Sequence, residues 1–421
     1  MAINAIIGGQ WGDEGKGKIV DLLSKNTHLV ARYQGGSNAG HTVYYKNNKI
    51  VLHQIPSGIV RGKKICILGK GMVIDPIGFV EEIKYLQSNN IVYQNRILID
   101  YYSHIVTPIH KLIDKTTEKK SKNRIGTTCK GIGPTYQDKY QRIGIRAIEI
   151  LDMEKLKLKI EKRLETAIYK KEIDKEDVKQ LNFKNFYNAC KFISQFIFDT
   201  FPIIFKSMNK NILIEGAQGT LLDIDHGTFP YVTSSNCSSG GISTGLGIPG
   251  NKLNAIIGIF KAYVTRVGNG PFPTELFDND GQKLQSIGKE VGATTGRKRR
   301  CGWFDLVAAK YSIKVNGVTA VALTKLDVLD SFKTIKICIH YKYKDKIINE
   351  MSNVLNFLDD IKPVYKEFKG WNSSVKEIET FEDLPDNAKI YINYLSKELQ
   401  VPITIISIGP RRNQILQLQS L

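Results

Sequence analysis

A glycine-rich turn near the amino terminus carries the residue types that bind phosphate groups. The turn spans residues 12–18, reads Gly-Asp-Glu-Gly-Lys-Gly-Lys, and lies between the apolar residues 5–7 and the largely apolar segment 19–23. Glycines let backbone N–H groups converge on an anion, the start of the following helix adds partial positive charge, and a lysine reaches the outer phosphates. The spacing fits the GxxxxGK pattern of phosphate loops, but Ile19 stands where that pattern needs Ser or Thr for Mg²⁺. Asp13 is then the nearest candidate for an oxygen ligand of the metal.

Asp13 and His41 are the candidates for acid–base chemistry, because each lies in a glycine-bearing turn. His41 ends the segment 35–41, which reads Gly-Gly-Ser-Asn-Ala-Gly-His. A single histidine is more often part of a core or a surface, and that alternative stays open at this point. A histidine that ends a glycine-rich, asparagine-bearing loop favours a catalytic role. We predict that both side chains face one crevice.

Two further turns suit recognition of a purine base. Residues 324–327, Thr-Lys-Leu-Asp, follow an apolar run and have the Lys-x-Asp spacing of the guanine-reading loop of GTPases, although Thr324 replaces the usual Asn. A bare Lys-x-Asp also occurs by chance. Residues 215–220, Glu-Gly-Ala-Gln-Gly-Thr, place Gln218 in a tight turn that suits a purine edge or a positioned water. A simple turn after a strand is the alternative for this segment.

Two loops have the composition of anion-binding segments. Residues 292–300 combine glycines, two threonines and four cations, which predicts a mobile loop that closes over carboxylate and phosphate groups. A solvated basic turn is the alternative. Residues 125–134 form a second loop rich in glycine and threonine that could bind phosphate.

Composition excludes several classes of protein. The 421-residue chain is 42% hydrophobic and 24% charged, which is typical of a globular protein with a large core. Its formal net charge is +19, but the lysines are spread along the chain instead of forming one stripe, so we expect no nucleic-acid partner. The sequence has no apolar stretch long enough to span a membrane and no secretory leader, so we expect a cytoplasmic protein without a membrane partner. Its cysteines and histidines lack the spacing of disulfide or zinc sites.

The apolar pattern predicts the fold class. Short apolar runs that end in glycine or polar turns predict buried parallel strands, and ligands bind beyond the carboxyl ends of such strands. We therefore predict an α/β fold with a central, mostly parallel sheet and flanking helices, similar to phosphate-loop NTPases, in one domain of residues 1–421. A helical insertion is predicted at about 153–208 and a β-rich attachment at about 335–400. The predicted strands are 65–68, 212–215, 255–260, 318–323 and 403–408.

Several long strings, taken together and in order, resemble the adenylosuccinate synthetase family from the first strand to the last. Their number makes the resemblance far more specific than a single phosphate-loop pattern. The strings are residues 10–18 (Gln-Trp-Gly-Asp-Glu-Gly-Lys-Gly-Lys), 32–36, 38–42 (Asn-Ala-Gly-His-Thr), 215–225, 266–268, 270–275 (Gly-Pro-Phe-Pro-Thr-Glu) and 324–330.

The resemblance implies a ligase (EC 6.3.4.4) that joins IMP and L-aspartate at the expense of GTP, as the first committed step from IMP to AMP. Asp13 would act as the base that removes the N1 proton of IMP, so that O6 attacks the γ-phosphorus of GTP and forms 6-phosphoryl-IMP. His41 would act as the acid, and the aspartate amine would then displace phosphate from C6. Phosphoryl transfer depends mainly on alignment and charge neutralisation, which suits these loops.

The resemblance also implies a set of ligand contacts. One Mg²⁺ per subunit would be held by Asp13 and Gly40, and the enzyme would be a homodimer in which Arg142 reaches the partner's site. The catalytic residues would be Asp13, His41, Lys16 and Gln218. GTP would contact Gly12, Asp13, Glu14, Gly15, Lys16, Gly17, Lys18, Gly40, His41, Thr42, Arg299, Lys325, Leu326, Asp327, Ser407, Ile408 and Gly409. IMP would contact Asp13, Glu14, Gly15, Lys16, Asn38, Ala39, Gly40, His41, Thr128, Arg142, Gln218, Thr233 and Arg297. L-Aspartate would contact Ala293, Thr294, Thr295, Gly296, Arg297, Lys298 and Arg299.

Two positions depart from the commoner family pattern. Ser37 stands where His is frequent, and Ile408 stands where Thr is frequent, which would remove one hydroxyl near the guanine site. A regulatory phosphate-loop GTPase is the alternative function, because a phosphate loop and Lys-x-Asp occur in both classes.

Overall fold

A ten-stranded sheet organises the part of the chain that the structure describes. The structure is a computed structural model that describes residues 1–45, 48–122, 124–292 and 296–418. Its strands are β1 (Ile3–Gly8), β2 (Leu29–Arg32), β3 (His41–Tyr45), β4 (Asn48–Leu52), β5 (Ile65–Leu68), β6 (Val73–Ile74), β7 (Ile97–Asp100), β8 (His104–Ile105), β9 (Ile197–Phe198), β10 (Ile212–Glu215), β11 (Ala255–Lys261), β12 (Val264–Arg266), β13 (Arg300–Gly302), β14 (Phe304–Asp305), β15 (Ala320–Thr324), β16 (Thr334–Tyr343), β17 (Lys346–Ile348), β18 (Lys362–Lys369), β19 (Ile403–Ser407) and β20 (Ile415–Gln417).

Helices flank this sheet, and short 3₁₀ turns lie between several elements. The helices are α1 (Lys16–Leu23), α2 (Pro76–Ser88), α3 (Pro108–Lys120), α4 (Ile132–Gln141), α5 (Met153–Tyr169), α6 (Phe183–Ile193), α7 (Phe201–Ser207), α8 (Gly240–Leu246), α9 (Asn279–Ile287), α10 (Leu306–Asn316) and α11 (Asp386–Leu399). Among the described residues, no helix is long and apolar enough to cross a membrane.

The order of the strands places the amino-terminal loop at the centre of the sheet. The order is β9-β7-β5-β2-β10-β1-β11-β15-β19-β20, and every neighbouring pair is parallel except β19 with β20. Strand β1 carries Ala5, Ile6 and Ile7, which are 0–1% exposed, because helices and loops cover both faces of a parallel sheet. The predicted α/β class with a mostly parallel sheet is confirmed.

The predicted strands agree closely with the observed ones. The strands predicted at 65–68 and 212–215 coincide with β5 and β10, and the other three differ from β11, β15 and β19 by one or two residues at an end. Apolar runs of four to seven residues bounded by turns are long enough for a buried strand and too short for a helix, so this pattern identifies them.

Two segments add elements around the sheet. Residues 153–208 contain α5, α6 and α7, and also β9, which pairs with β7 at the edge of the main sheet. Residues 335–400 contain most of β16, all of β17 and β18, and α11; β16 pairs antiparallel with both β17 and β18. One face of β16 is buried, since Ile335, Ile337 and Tyr341 are 0% exposed. That face packs on the rest of the chain.

Candidate active site

The phosphate loop leaves the carboxyl end of β1 and ends where α1 begins. Three residues of the loop have positive φ: 82° at Gly12, 60° at Asp13 and 90° at Gly15. Glycine adopts such angles without strain, whereas Asp13 is held there by its surroundings. No side chain caps the start of α1. Its first N–H groups therefore remain available for an anion.

Glu14 fixes the shape of this loop from inside. Its side chain is fully buried; Oε1 accepts hydrogen bonds from the backbone N–H of Gln10 at 3.1 Å and of Gly12 at 2.8 Å, and Oε2 accepts from Lys16 Nζ at 2.5 Å. Gly219 packs against the same carboxylate, because a Cβ there would lie 2.6 Å from Glu14 Oε1. The carboxylate thus holds the loop of β1 against the loop that follows β10.

Asp13 points away from this packing and is accessible. Its side chain is 30% exposed, and Oδ2 accepts a hydrogen bond from Arg299 Nε at 2.7 Å. Arg299 precedes β13, so the basic segment predicted to close over the ligands contacts the phosphate loop directly. The predicted base and a predicted GTP contact therefore lie together.

His41 lies at the start of β3 with one ring nitrogen paired and the other free. Nδ1 is bonded to Glu215 Oε1 at the end of β10, and Glu215 also accepts from the backbone N–H and the hydroxyl of Ser57, at 2.7 and 2.6 Å. Burial raises the pKa of Glu215, but His41, Arg32 and Ser57 outweigh it and lower that pKa, so the carboxylate is ionised and Nδ1 donates. His41 Nε2 is buried and has no hydrogen-bond partner among the described residues. It is free to meet a ligand.

Glu215 opposes the other influences on the pKa of His41. Burial lowers this pKa, the nearby cations Arg32 and Lys16 lower it further, Glu215 raises it, and the net shift is downward. These surroundings therefore favour a neutral imidazole. An added anionic group next to Nε2 would favour the charged form.

Two side chains at the same edge, Gln218 and Arg32, carry buried polar atoms without a hydrogen-bond partner among the described residues. Gln218, with φ of 56°, has neither its amide oxygen nor its amide nitrogen paired among the described residues. Arg32 donates from Nη1 to the backbone carbonyl of Gln54 at 3.1 Å, whereas its Nε and Nη2 have no partner in the described part of the chain. Buried unpaired polar groups cost free energy, so such a pair indicates a site built for a ligand.

Several of the predicted IMP contacts lie on loops that are far apart in the sequence and touch one another. Asn38 Nδ2 lies 3.5 Å from Thr233 Oγ1, which joins the loop after β2 to the loop before α8. Arg297 donates from Nη2 to the carbonyl of Gly126 at 3.0 Å, and Thr128 of the same loop is half-buried. Arg142 is exposed at the end of α4 with φ of 65°.

The nucleotide side of the site is assembled around Lys18. Its Nζ donates to Ser407 Oγ at 2.8 Å, to the Gly409 carbonyl at 2.6 Å and to the Gln414 carbonyl at 2.9 Å. All three ammonium hydrogens are thereby used, so the lysine of the GxxxxGK spacing holds the 407–414 segment against α1. Burial lowers the pKa of Lys18 to about 7, while the nearby Asp327 carboxylate acts in the opposite direction.

Two predicted GTP contacts offer only their backbone. The side chains of Leu326 and Ile408 are 0% and 1% exposed and belong to the same apolar cluster. Replacement of Thr by Ile at position 408 therefore acts on packing, because this side chain does not face the crevice. Asp327, in contrast, has a polar side chain. Burial raises the pKa of Asp327, and the nearby cations Lys376 and Lys325 oppose this shift.

The basic loop is described in part. Gly296 N donates to the Gly292 carbonyl at 2.9 Å, and Gly292 N donates to the Arg297 carbonyl at 2.8 Å. Lys298 forms an antiparallel bridge with Val291. Ala293, Thr294 and Thr295, predicted to bind aspartate, lie outside the described residues.

The residues present fit a Mg²⁺ ion that takes some of its ligands from the protein and the others from a substrate. No cluster of three or more His, Cys, Asp or Glu that could hold a metal occurs in the described residues. The Asp13 carboxylate and the Gly40 carbonyl are hard oxygen donors of the type Mg²⁺ prefers, and Mg²⁺ sites commonly use one or two carboxylates with phosphate oxygens and waters.

Three residues of this region were given no role by the sequence analysis. Glu290, Lys261 and Tyr263 are fully buried and bonded to one another beside Arg299. Glu215 occurred in a string used for the resemblance, but its bond to His41 was not foreseen. Nothing in the spacing of these residues signals contacts between positions so far apart in the chain.

The fold and this site define a nucleotide-binding α/β enzyme with a phosphate loop at the carboxyl edge of its central sheet. The family model of adenylosuccinate synthetase matches residues 5–416. Adenylosuccinate synthetases of Thermodesulfovibrio yellowstonii and Geobacter sulfurreducens are each 47% identical to the chain. Each alignment covers 99% of this chain, and it covers 99% of the first relative and 98% of the second. The solved structure of fully ligated adenylosuccinate synthetase from Plasmodium falciparum superposes with a TM-score of 0.95 at 38% identity and covers 100% of both chains.

The chain belongs to the adenylosuccinate synthetase family. Members of this family are C–N ligases of the class EC 6.3.4.4 that use IMP, GTP and aspartate. The expected resemblance is confirmed, and the alternative of a regulatory GTPase is not favoured.

Proposed function

We propose that Asp13 and His41 carry out the two proton-handling roles of an adenylosuccinate synthetase reaction in this chain. Asp13 takes the N1 proton of IMP, and O6 forms a bond to the γ-phosphorus of GTP as the bond to the leaving GDP oxygen breaks. The α-amine of aspartate then attacks C6, and the O6-phosphate leaves as inorganic phosphate. The observation that carries the assignment is the free, buried Nε2 of His41 at the edge where the accessible Asp13 carboxylate lies.

His41 and Gln218 suit the transfer step. Glu215 holds the His41 ring by Nδ1. Nε2 can therefore donate a hydrogen bond to a phosphoryl oxygen once the imidazole is charged. Gln218 has both amide atoms free and can receive the C6 edge of a purine. Lys16, held by Glu14, adds positive charge to the same loop.

A Mg²⁺ ion, held by Asp13 and Gly40 with phosphate oxygens, would neutralise charge on the transferring phosphoryl group. The remaining roles belong to the chain. The backbone of residues 12–18, with Thr42 and Arg299, faces the phosphates, while Lys325, Asp327 and the 407–409 segment face guanine. Asn38, Ala39, Thr128, Thr233 and Arg297 hold IMP, and residues 293–299 hold aspartate.

The functional unit is a homodimer in which Arg142 of one subunit contacts IMP in the other, and the enzyme works in the cytoplasm. The exposure of Arg142 at the end of α4 supports the first point. Mixing Asp13→Asn with Arg142→Leu subunits tests it: heterodimers contain one complete site, so random exchange restores about a quarter of the parent activity. A mixture that stays inactive after exchange would contradict a shared site.

One assay tests the reaction as a whole. Phosphate release from GTP and the absorbance of the purine ring are followed with Mg²⁺ and with IMP and L-aspartate together, then with each omitted. The proposed function requires phosphate release and a spectral change only in the complete mixture. GTP hydrolysis that ignores IMP and aspartate would favour the GTPase alternative and remove the assigned roles of Asp13 and His41.

A further inference from the structure

One buried carboxylate lies between the two groups of residues assigned to GTP. Glu290 follows α9 and is 0% exposed. Its Oε1 accepts from Lys325 Nζ at 2.5 Å and also from the Tyr263 hydroxyl, and its Oε2 accepts from Arg299 Nη1 at 2.6 Å. Lys261 Nζ lies 3.1 Å from both oxygens. Four separate chain segments meet on this one side chain.

Three cations converge on Glu290. Lys261, Lys325 and Arg299 face its carboxylate, while Asp13 is bonded to Arg299 and Asp327 lies near Lys325. Burial would raise the pKa of Glu290, but the three cations outweigh it and lower that pKa well below its usual range. Glu290 is therefore a buried anion that holds cations from both groups of residues assigned to GTP.

Two of the three cations bonded to Glu290, Lys325 and Arg299, belong to different parts of the proposed nucleotide site. Lys325, with φ of 58°, is two residues before Asp327 on the turn after β15, and its Nζ also donates to the Gly288 carbonyl at 2.8 Å. Arg299 precedes β13 and bonds Asp13 through a different nitrogen from the one that bonds Glu290. A phosphate that takes the place of Asp13 on Arg299 therefore leaves the bond to Glu290 intact.

We propose that Glu290 is a positioning residue for GTP, which anchors the guanine-reading turn through Lys325 and the phosphate-facing Arg299 in one fixed arrangement. The inference rests on the proposed function, because the GTP contacts of Lys325, Asp327 and Arg299 are assigned there. It predicts that base recognition depends on a carboxylate that touches neither base nor phosphate.

The test compares GTP with ITP, which lacks the 2-amino group that Asp327 reads. Glu290→Gln keeps the shape of the side chain and removes its charge. We expect KM for GTP to rise by about tenfold or more, and the ratio of kcat/KM for GTP over ITP to fall by about tenfold, while KM for IMP changes by less than about threefold. Calorimetric titration with GDP measures the dissociation constant without turnover, and we expect it to show the same loss of affinity.

Glu275→Gln is the matched control. Glu275 pairs with Arg300, the residue after Arg299 and the first of β13, through Arg300 Nε at 2.7 Å. Among the described residues, it forms no hydrogen bond or ion pair with Lys325 or Asp13. This variant should keep the parent ratio of GTP to ITP. Thermal melting of both variants separates loss of stability from loss of recognition.

A milder variant keeps the inference testable if Glu290→Gln does not fold. Tyr263→Phe removes only the hydroxyl bonded to the Glu290 oxygen that Lys325 contacts. We expect the GTP-to-ITP ratio to fall by about twofold or more. A folded variant with an unchanged ratio would overturn the inference. If the parent makes no adenylosuccinate, the proposed function fails instead, so the two failures are distinguishable.

Discussion

His41 donates its Nδ1–H to Glu215, and this bond determines which ring nitrogen faces the crevice. Ser57 supports the same carboxylate with its backbone N–H and its hydroxyl, so Glu215 is held from two sides. The arrangement resembles the orienting carboxylate of catalytic triads in logic, since a buried anion orients an imidazole and stabilises its charged form.

Glu215→Gln should lower kcat by about 10²-fold, because the amide cannot stabilise a charged His41. Affinity for GDP should change little, since Glu215 lies behind the ring. Steady-state kinetics and GDP titration measure the two effects. Ser57→Ala, which leaves the backbone N–H bond in place, is the control and should lose far less activity. A Glu215→Gln enzyme with the parent kcat would contradict the orienting role.

Asp13→Asn should leave nucleotide binding largely intact and lower turnover by several orders of magnitude. Loss of a general base alone accounts for about 10²- to 10⁴-fold, and a metal contact is disturbed as well. The matched control is Glu398→Gln, which alters the exposed ion pair with Lys310 on the surface. Single-turnover phosphate release with bound GTP measures the effect. Retention of a tenth of the parent rate would rule out Asp13 as the base.

Gln218→Met should make the protein more stable and less active. The Gln218 amide is buried without partners, so an apolar side chain of similar length removes an unpaired polar group and should raise the free energy of unfolding by about 1 kcal/mol. The same change removes a contact to the purine, so KM for IMP should rise and kcat should fall. Denaturant unfolding and kinetics on one preparation test both effects. A less stable variant would show that the amide has a structural partner.

Asp327→Asn should weaken GTP binding and improve binding of the xanthine nucleotide XTP. In the proposed site the carboxylate would accept from N1–H and the 2-amino group of guanine, whereas an amide can instead donate to the 2-oxo group of xanthine. Asp330→Asn is the control, because Asp330 bonds Trp371 Nε1 at 2.9 Å and the Val375 N–H at 3.2 Å inside the fold. Competition between GDP and XDP reports the preference. An unchanged preference would remove Asp327 from the guanine site.

His104 should make the protein less stable in mild acid. Burial, with Lys139 and Arg146 nearby, lowers its pKa from 6.5 to about 4. Between these two pH values the unfolded chain binds a proton at His104 that the folded chain does not bind. The contribution of a neutral His104 to the free energy of unfolding is therefore fully present above pH 6.5 and is lost as the pH falls toward 4.

Between pH 7.5 and 5, the parent should lose about 2 kcal/mol more free energy of unfolding than His104→Gln. Urea unfolding at both pH values measures the difference. His226→Gln, at an exposed position, controls for the loss of an imidazole. Parallel losses in the parent and in His104→Gln would contradict the assignment.

The sequence by itself determined the class of fold and the location of the chemistry. Apolar runs such as 65–68 and 212–215 identified β5 and β10, because a strand buried on both faces must be apolar throughout. Glycine-bearing turns after strands such as β1 and β10 predicted the candidate site, since parallel strands bring their carboxyl ends to one edge of the sheet. The strings of residues then identified the family.

Tertiary structure alone decided which atoms meet. Lys18 fits the spacing of a phosphate-loop lysine, yet its ammonium donates to residues 407–414. His41 bonds Glu215 and Arg299 bonds Asp13, and in each pair the two residues are more than a hundred positions apart. Spacing along a chain describes local turns, but a hydrogen bond between distant segments depends on how helices and strands pack. The Glu290 cluster therefore emerged only when four segments came together.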